Sequence, residues 1–171
     1  MESMNRVTDR TQQAPQQAYQ QQAPQGQLLR KGQKVSLCGS GSIEKIKITM
    51  GWEAQHGYDL DASAFILGQN GKVISDDWFV FYGQLNSPDM AVRHSGEAGK
   101  KGNSGVEHIV ADLSRLNPAA NKIVFILTIN NALMNGQNFA GVRNAYMTVA
   151  DETRNIELFR FNLSEYYSNV T

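Results

Sequence analysis

Apolar and polar residues alternate with a period of two along most of the chain after Leu28, as expected of β-strands with one buried face. In IEKIKITMGW, residues 43–52, every second side chain is apolar: Ile46, Ile48, Met50 and Trp52. The same alternation is found in WFVFY (78–82), EHIVADL (107–113), AYMTVAD (145–151) and IELFRFNL (156–163). These segments are rich in β-branched and aromatic residues, so each is predicted to be a strand.

The segment KIVFILTI, residues 122–129, is continuously apolar and is predicted to be a central strand covered on both faces. Turn signals separate the strands, and the QNG sequence at 69–71 indicates a hairpin. Helical character is limited to short stretches near residues 113–120 and 136–145. Many short strands without long helices predict an all-β fold, an antiparallel β-sandwich with short helical turns.

The first 27 residues differ from the rest because TQQAPQQAYQQQAPQGQ contains nine Gln and a single aromatic residue, Tyr19. So little apolar surface does not offset the entropy of ordering the chain. Residues 1–27 are therefore interpreted as a disordered Gln/Pro-rich tail, and residues 28–171 as one domain. A docking or self-association role of the Gln-rich repeat is the alternative.

The charge balance limits the classes of partner. Lys plus Arg and Asp plus Glu both number 16, so the formal net charge is zero and gives no electrostatic reason to expect nucleic acid. The single cysteine, Cys38, fits a reducing compartment. The first residues contain no apolar signal region, so a cytoplasmic protein is expected.

Two aspartates interrupt the strand pattern of HGYDLDASAFIL, residues 56–67. Alternation places Asp59 and Asp61 on one face, roughly 7 Å apart, where like charges repel unless a cation or hydrogen-bond donors lie between them. Further acids follow in or beside loops: Asp76, Asp77, Asp89, Glu97 and Glu107. Several carboxylates at one end of a sandwich would suit calcium, which takes six to eight oxygens.

Other interpretations of these acids remain open. An EF-hand starting at Asp59 is excluded, because Ala64 stands where the loop needs glycine and Asn70 where it needs glutamate. The acids could instead cap turns and strand ends, or two of them could perform glycosidase-type acid–base chemistry. The sequence contains none of the nucleophile, phosphate-loop or zinc-protease motifs, and its three histidines lack metal-ligand spacing. The protein is therefore expected not to be an enzyme.

The order of several motifs resembles the tellurium-resistance, TerD-type stress protein family. They are LLRKGQKVSL, GW, DLDASAFIL, GKVISDDWFVFYGQLNSPD, VRHSG, KIVFILTINNA, GQNFAGVRNAYMTV and FNLSE, spread over residues 28–165. The resemblance implies a β-sandwich that binds calcium through acidic loops at one end, without enzymatic activity. It also implies a role in bacterial resistance to tellurite and other stresses.

By that resemblance the expected metal ligands are Asp59, Asp61, Asp76, Asp77, Glu97 and Glu107. Two departures from the family pattern matter, and the first is expected to weaken calcium binding. In GEAGKKGNSGVEH, Gly105 and Val106 replace acids while Lys100 and Lys101 add positive charge, so one calcium site is expected and a second is doubtful. Family members usually continue past LSE with a further strand, whereas this sequence ends at Thr171, so either the given chain is cut short or the sandwich lacks one strand and has an open edge.

Two functions follow as hypotheses. The first is a calcium-binding, non-enzymatic stress-response protein. The alternative is a divergent member whose calcium site is weakened or lost and which acts as an oligomeric scaffold or assembly component. Expected partners are other stress-response or family proteins or further copies of the chain, with no nucleic acid and at most indirect membrane association.

Overall fold

The computed structural model describes residues 26–37, 42–96 and 103–167. The predicted tail before Gly26, the cysteine Cys38 and the candidate ligand Glu97 lie outside the described residues. Nine strands are present in this part of the chain: β1 (Gln27–Leu29), β2 (Lys45–Ala54), β3 (Leu60–Leu67), β4 (Phe79–Val80), β5 (Val92–His94), β6 (Ser104–Asp112), β7 (Lys122–Ile129), β8 (Val142–Asp151) and β9 (Ile156–Asn162).

The strands form two sheets, which confirms the predicted all-β class. The larger sheet has the order β1-β9-β8-β2-β6-β5 and the smaller one β4-β3-β7. All neighbouring strands are antiparallel except β1 and β9, which run parallel. Across the described ranges, helical structure is limited to 3₁₀ turns at Asp76–Trp78 and Phe139–Gly141 and one α-helical turn, α1 (Ser164–Tyr167). No helix in the described ranges has the length and apolar character needed to cross a bilayer.

The core lies between the two sheets and follows the predicted alternation. The apolar set of β2, Ile46, Ile48, Met50 and Trp52, is at most 6% exposed, and Leu60, Ala62, Ala64 and Ile66 of β3 are at most 1% exposed. The other face of β3 is also covered in part, because Asp61 and Ser63 are only 8% and 5% exposed. The apolar residues between and after the aspartates thus form the core face of β3, and Asp61 is buried on the opposite face.

The prediction that KIVFILTI forms a central strand is wrong. In the described sheet β7 pairs with β3 alone and is the edge of the three-stranded sheet. Its residues from Ile123 to Leu127 are all half-buried, whereas their partners on β3 are buried, apart from the half-buried Phe65 opposite Val124. A continuous apolar run reflects contact with other apolar groups on both faces, but it does not say which strands lie beside it.

Smaller differences concern the predicted helical and aromatic segments. Of WFVFY only Phe79–Val80 pairs as a strand, since Trp78 closes a 3₁₀ turn and Phe81 hydrogen-bonds to Gln84 in a tight turn. Residues 113–120 form turns, and the helical part of 136–145 is a single 3₁₀ turn. The predicted hairpin is confirmed, with Gly71 at φ 73° and a bridge between Leu67 and Val73.

Candidate functional site

The antiparallel strands give the sandwich two ends with different acids. We call the end with the loops at 55–59, 95–103 and 130–141 the site end; it includes the start of β3 and β6 and the end of β7. The opposite end, with the turns at 68–78, 86–91, 113–121 and 152–155, is called the turn end. The stretch 97–102 belongs to the loop between β5 and β6 but is not described.

Glu107 is the most deeply buried of the predicted ligands, at 1% exposure. It lies on β6, and its side chain crosses to the smaller sheet, where Oε2 accepts a hydrogen bond of 2.7 Å from the backbone N–H of Ala62. The other carboxylate oxygen, Oε1, is buried and has no hydrogen-bond partner among the described residues. A buried carboxylate oxygen without a donor or cation is costly, so this atom marks a position that favours one.

His94 adds a group that the sequence reasoning did not select. Its side chain is fully buried at the end of β5, and Nε2 lies 3.3 Å from Oε2 of Glu107 without an aligned hydrogen bond. Its Nδ1 accepts the backbone N–H of Gly96 at 2.9 Å, which leaves the proton of a neutral ring on Nε2, facing the carboxylate. The sequence feature that could have identified His94 is the alternation in VRH, which places His94 on the same inward face as Val92.

Asp59 lies immediately before β3, and Asp61 is the second residue of that strand. Asp61 directly precedes Ala62, whose N–H binds Glu107, so the two acids flank the same peptide group. Asp59 is joined to the end of β7, since its Oδ2 accepts from Nδ2 of Asn130 at 3.2 Å and its carbonyl accepts the Asn130 N–H at 2.7 Å. Three of the six predicted ligands therefore belong to the site end.

Asp76 and Asp77 are placed at the turn end. Phe79 pairs with Phe65, so the two residues before the strand lie beyond Phe65, toward Leu67. Along β3 the six residue-to-residue steps from Asp61 to Leu67 span about 20 Å. Calcium binds oxygens at about 2.3–2.6 Å, so a single ion is not shared by the two aspartate pairs. Both residues are exposed on their 3₁₀ turn.

The fit of the site end to calcium is partial. It supplies hard oxygen ligands from Asp59 and Asp61, and a buried, incompletely bonded carboxylate from Glu107. Within the described ranges no three His, Cys, Asp or Glu side chains are close enough to hold a metal ion together. Another predicted ligand, Glu97, is outside those ranges. Among the described residues the site end therefore supplies oxygen ligands but no complete metal site.

The acids of the turn end are used differently, as caps of their own turns. Asp151 accepts the backbone N–H groups of Thr153 and Arg154 and pairs with the Arg154 guanidinium at 3.3 Å. Asp89 accepts from the Ser87 hydroxyl and from the N–H groups of Ala91 and Asn117.

Burial raises the pKa of Asp89, but the donors Ser87, Ala91 and Asn117 outweigh it, so the pKa lies below 3.8. This matches the turn-capping alternative considered for the acids as a group.

An apolar groove runs along the free edge of β7. It has a volume of about 300 Å³ and is lined by Phe125 and Leu127 on one side and by Met147 and Phe161 of the larger sheet on the other. It exists because the larger sheet extends past β7 with β9 and β1, and the described part of the smaller sheet does not cover them. The groove is chemically unlike the acidic site end.

With this geometry the chain can be compared with known proteins. The model of the family described as the TerD domain matches residues 26–171, almost the whole described chain and more than four fifths of the sequence. The chain belongs to the TerD family. The resemblance seen in the motifs is thereby confirmed.

TerD-family relatives agree with this assignment. General stress protein 16U of Bacillus subtilis (strain 168) is 36% identical over 150 residues, covering 84% of this chain and 78% of that protein. Tellurium resistance protein TerD of Serratia marcescens is 34% identical over 149 residues, with the same coverage. The crystal structure of a homologue of telluride resistance protein (TerD) from Streptomyces coelicolor A3(2) superposes with a TM-score of 0.55 at 18% identity, covering 74% of this chain and 75% of that one. At that identity the structure supports the fold alone.

Proposed function

We propose that the protein is a calcium-binding, non-enzymatic stress-response protein of the tellurium-resistance type, with its ion at the site end. The observation that carries the proposal is Glu107, a buried carboxylate with one oxygen bonded to the Ala62 N–H and the other without a described partner. The named relatives, a general stress protein and tellurium resistance proteins, support the stress-response part.

The proposed ligands are Asp59, Asp61 and Glu107, with Glu97 from the undescribed stretch as the fourth. A divalent cation bound there would relieve the repulsion expected between neighbouring carboxylates and give Oε1 of Glu107 a partner. When bound, calcium would supply positive charge and would bring the loops of the site end together. The chain's own residues hold the strands in place, because Asn130 fixes the start of β3 and Glu107 fixes β6 against it.

Calorimetric titration of the full chain with calcium tests the proposal. We expect heat of binding for the unmodified protein, and none for Asp61→Asn, which keeps the shape of the side chain and removes its charge. The matched control is Asp77→Asn, which is exposed at the turn end and should bind calcium unchanged. Absence of binding heat at millimolar calcium in the unmodified chain would refute the calcium assignment.

A second candidate function, an oligomeric scaffold with a weakened calcium site, is favoured by a different observation. The free edge of β7 and the adjoining apolar groove expose strand backbone and apolar side chains of the kind that other chains bind. Size-exclusion chromatography with light scattering, with and without calcium and with and without residues 1–27, separates the two candidates. An oligomer that forms without calcium would favour the scaffold.

A further inference from the structure

Two adjacent apolar side chains are almost fully exposed at the site end. Leu133 and Met134 are 96% and 86% exposed, whereas the next most exposed large apolar residue in the described chain, Leu28, is 54% exposed. Single exposed apolar residues are ordinary on protein surfaces. Here one turn carries two large apolar side chains that are exposed at adjacent positions, as an interfacial anchor requires.

The turn that carries the pair has a closed backbone. The N–H of Asn135 donates to the carbonyl of Asn131 at 3.0 Å, and the N–H of Gln137 donates to that of Ala132 at 2.8 Å. Gln137 also donates through Nε2 to the carbonyl of Gly57 at 2.8 Å, which ties the turn to the neighbouring loop. Because these bonds fix the turn, little conformational entropy would be lost when its tip is bound.

The turn contains no ionisable residue. Its sequence from 130 to 137 is NNALMNGQ, in a chain of which 19% is charged. A charge would have to be dehydrated to enter the boundary between headgroups and acyl chains, whereas asparagine and glutamine can hydrogen-bond to headgroups there. A convex tip needs a matching pocket on a protein partner, but a lipid surface accepts it without one.

The tip is also joined directly to the proposed calcium ligands. Asn130, the first residue of the turn, binds both the carboxylate and the carbonyl of Asp59. Two aliphatic side chains alone give weak membrane binding, since even a whole myristoyl chain is a marginal anchor. A second attraction is therefore required, and acids without a cation would repel anionic headgroups.

We propose that the site end docks on an anionic lipid bilayer in a calcium-dependent manner, with Leu133 and Met134 inserted in the interfacial layer. The proposal rests on the proposed calcium site at Asp59 and Asp61, where a bound ion would also attract headgroup phosphates. It replaces the sequence-based expectation of at most indirect membrane association with a direct contact.

The test is co-sedimentation of the full chain with vesicles made of equal parts phosphatidylcholine and phosphatidylglycerol, in calcium or in chelator. We expect binding in calcium, and a loss of about 100-fold in the partition constant for the double variant Leu133→Ser/Met134→Ser, from the transfer energies of two aliphatic side chains. The double variant should fold normally because both side chains are exposed. Ile156→Ser, 41% exposed at the turn end, is the matched control and should bind like the unmodified chain.

A spectroscopic arm reports insertion itself. The native Trp52 and Trp78 are buried at 6% and 8% exposure, so their emission should change little on binding. A tryptophan introduced by Leu133→Trp should shift to shorter wavelength when vesicles and calcium are both present, and one introduced by Ile156→Trp should not. An unshifted emission of Leu133→Trp on bound vesicles would overturn the proposal.

Calorimetry with calcium alone separates the possible failures. Calcium binding without vesicle binding would overturn the membrane proposal and leave the calcium site intact. Absence of calcium binding would overturn both. Vesicle binding that survives the double variant would show that the tip is not the anchor, and a double variant that changes only the oligomeric state would assign the tip to a protein contact. Either result would overturn the proposal.

Discussion

The two ends of the sandwich contain similar numbers of acids and use them in opposite ways. At the turn end the carboxylate of Asp151 accepts hydrogen bonds from the N–H groups of Thr153 and Arg154 in its own turn. At the site end Glu107 reaches across to the other sheet and keeps one buried oxygen without a described partner. A carboxylate whose oxygens accept hydrogen bonds from its turn stabilises that turn, whereas one with an unbonded oxygen is available to a ligand.

The difference shows why the number of acids is a poor guide to a metal site. Asp76 and Asp77 form the densest acidic pair in the sequence, yet they are exposed and about 20 Å along β3 from Asp61. Glu107 is an isolated acid in a strand, and it has the environment that a cation would improve.

Removing the Glu107 carboxylate should cost the most stability. Glu107→Ala leaves the buried N–H of Ala62 and the buried ring of His94 without their partner, and we expect the free energy of unfolding to fall by about 3 kcal/mol. Urea denaturation at neutral pH measures it. Asp77→Ala is the control and should change stability by less than about 0.5 kcal/mol, because its side chain is exposed. Equal losses in the two variants would refute the contrast.

Calcium should stabilise the folded protein through the site end only. At a calcium concentration about 100 times the dissociation constant, the free energy of unfolding should rise by about 2.7 kcal/mol if only the folded state binds. Glu107→Gln keeps an acceptor for the Ala62 N–H but removes the charge, so it should lose most of this gain. Thermal unfolding with calcium or chelator provides the measurement, and an undiminished gain in Glu107→Gln would exclude Glu107 as a ligand.

Asp151 of the turn end, whose carboxylate is hydrogen-bonded within its turn, should contribute to stability but not to calcium binding. Asp151→Ala removes the acceptor of two backbone N–H groups and the partner of Arg154, and we expect a loss of about 1 kcal/mol, as for other caps. The calcium-induced rise in melting temperature should be the same as in the unmodified chain. A smaller rise would mean that the two ends are coupled.

The smallest effect is a pH dependence from Asp89. Its pKa in the folded protein lies below the unfolded value of 3.8, because the hydrogen bonds from Ser87, Ala91 and Asn117 outweigh the effect of burial. The unfolded state therefore binds its proton first, so this stabilisation is complete above the unfolded pKa and is lost as the pH falls through the folded one.

Comparison with Asp89→Asn isolates the contribution. The difference in free energy of unfolding between the two proteins should be constant above about pH 5 and should shrink toward lower pH. Urea titrations across that range measure the difference. A difference that grows on acidification would reverse the assigned direction of the pKa shift.

The sequence was sufficient to predict the strands and the class of the fold. The alternation correctly identified the apolar core positions of β2 and β3, since successive side chains of a strand point to opposite faces. The motifs were sufficient to identify the family. The position of β7 was not predictable in the same way, because an apolar run records burial and says nothing about strand order.

The candidate site was predictable only in part. The sequence selected Asp59, Asp61 and Glu107, but it grouped them with Asp76 and Asp77 and passed over His94. Local spacing fixes which residues share the face of one strand. Which strand ends meet is fixed by the pairing of β3 with β4 and of β2 with β6, contacts between residues far apart in the chain.

The sequence by itself thus determined the β-rich fold, the apolar core positions and the family, because these depend on local periodicity and on motif order. Only the tertiary structure decided which acids lie at the same end, which carboxylate is buried without a full set of partners, and which apolar side chains remain outside. Each of these depends on the register and packing of strands that are distant in sequence, and a one-dimensional pattern does not contain that information.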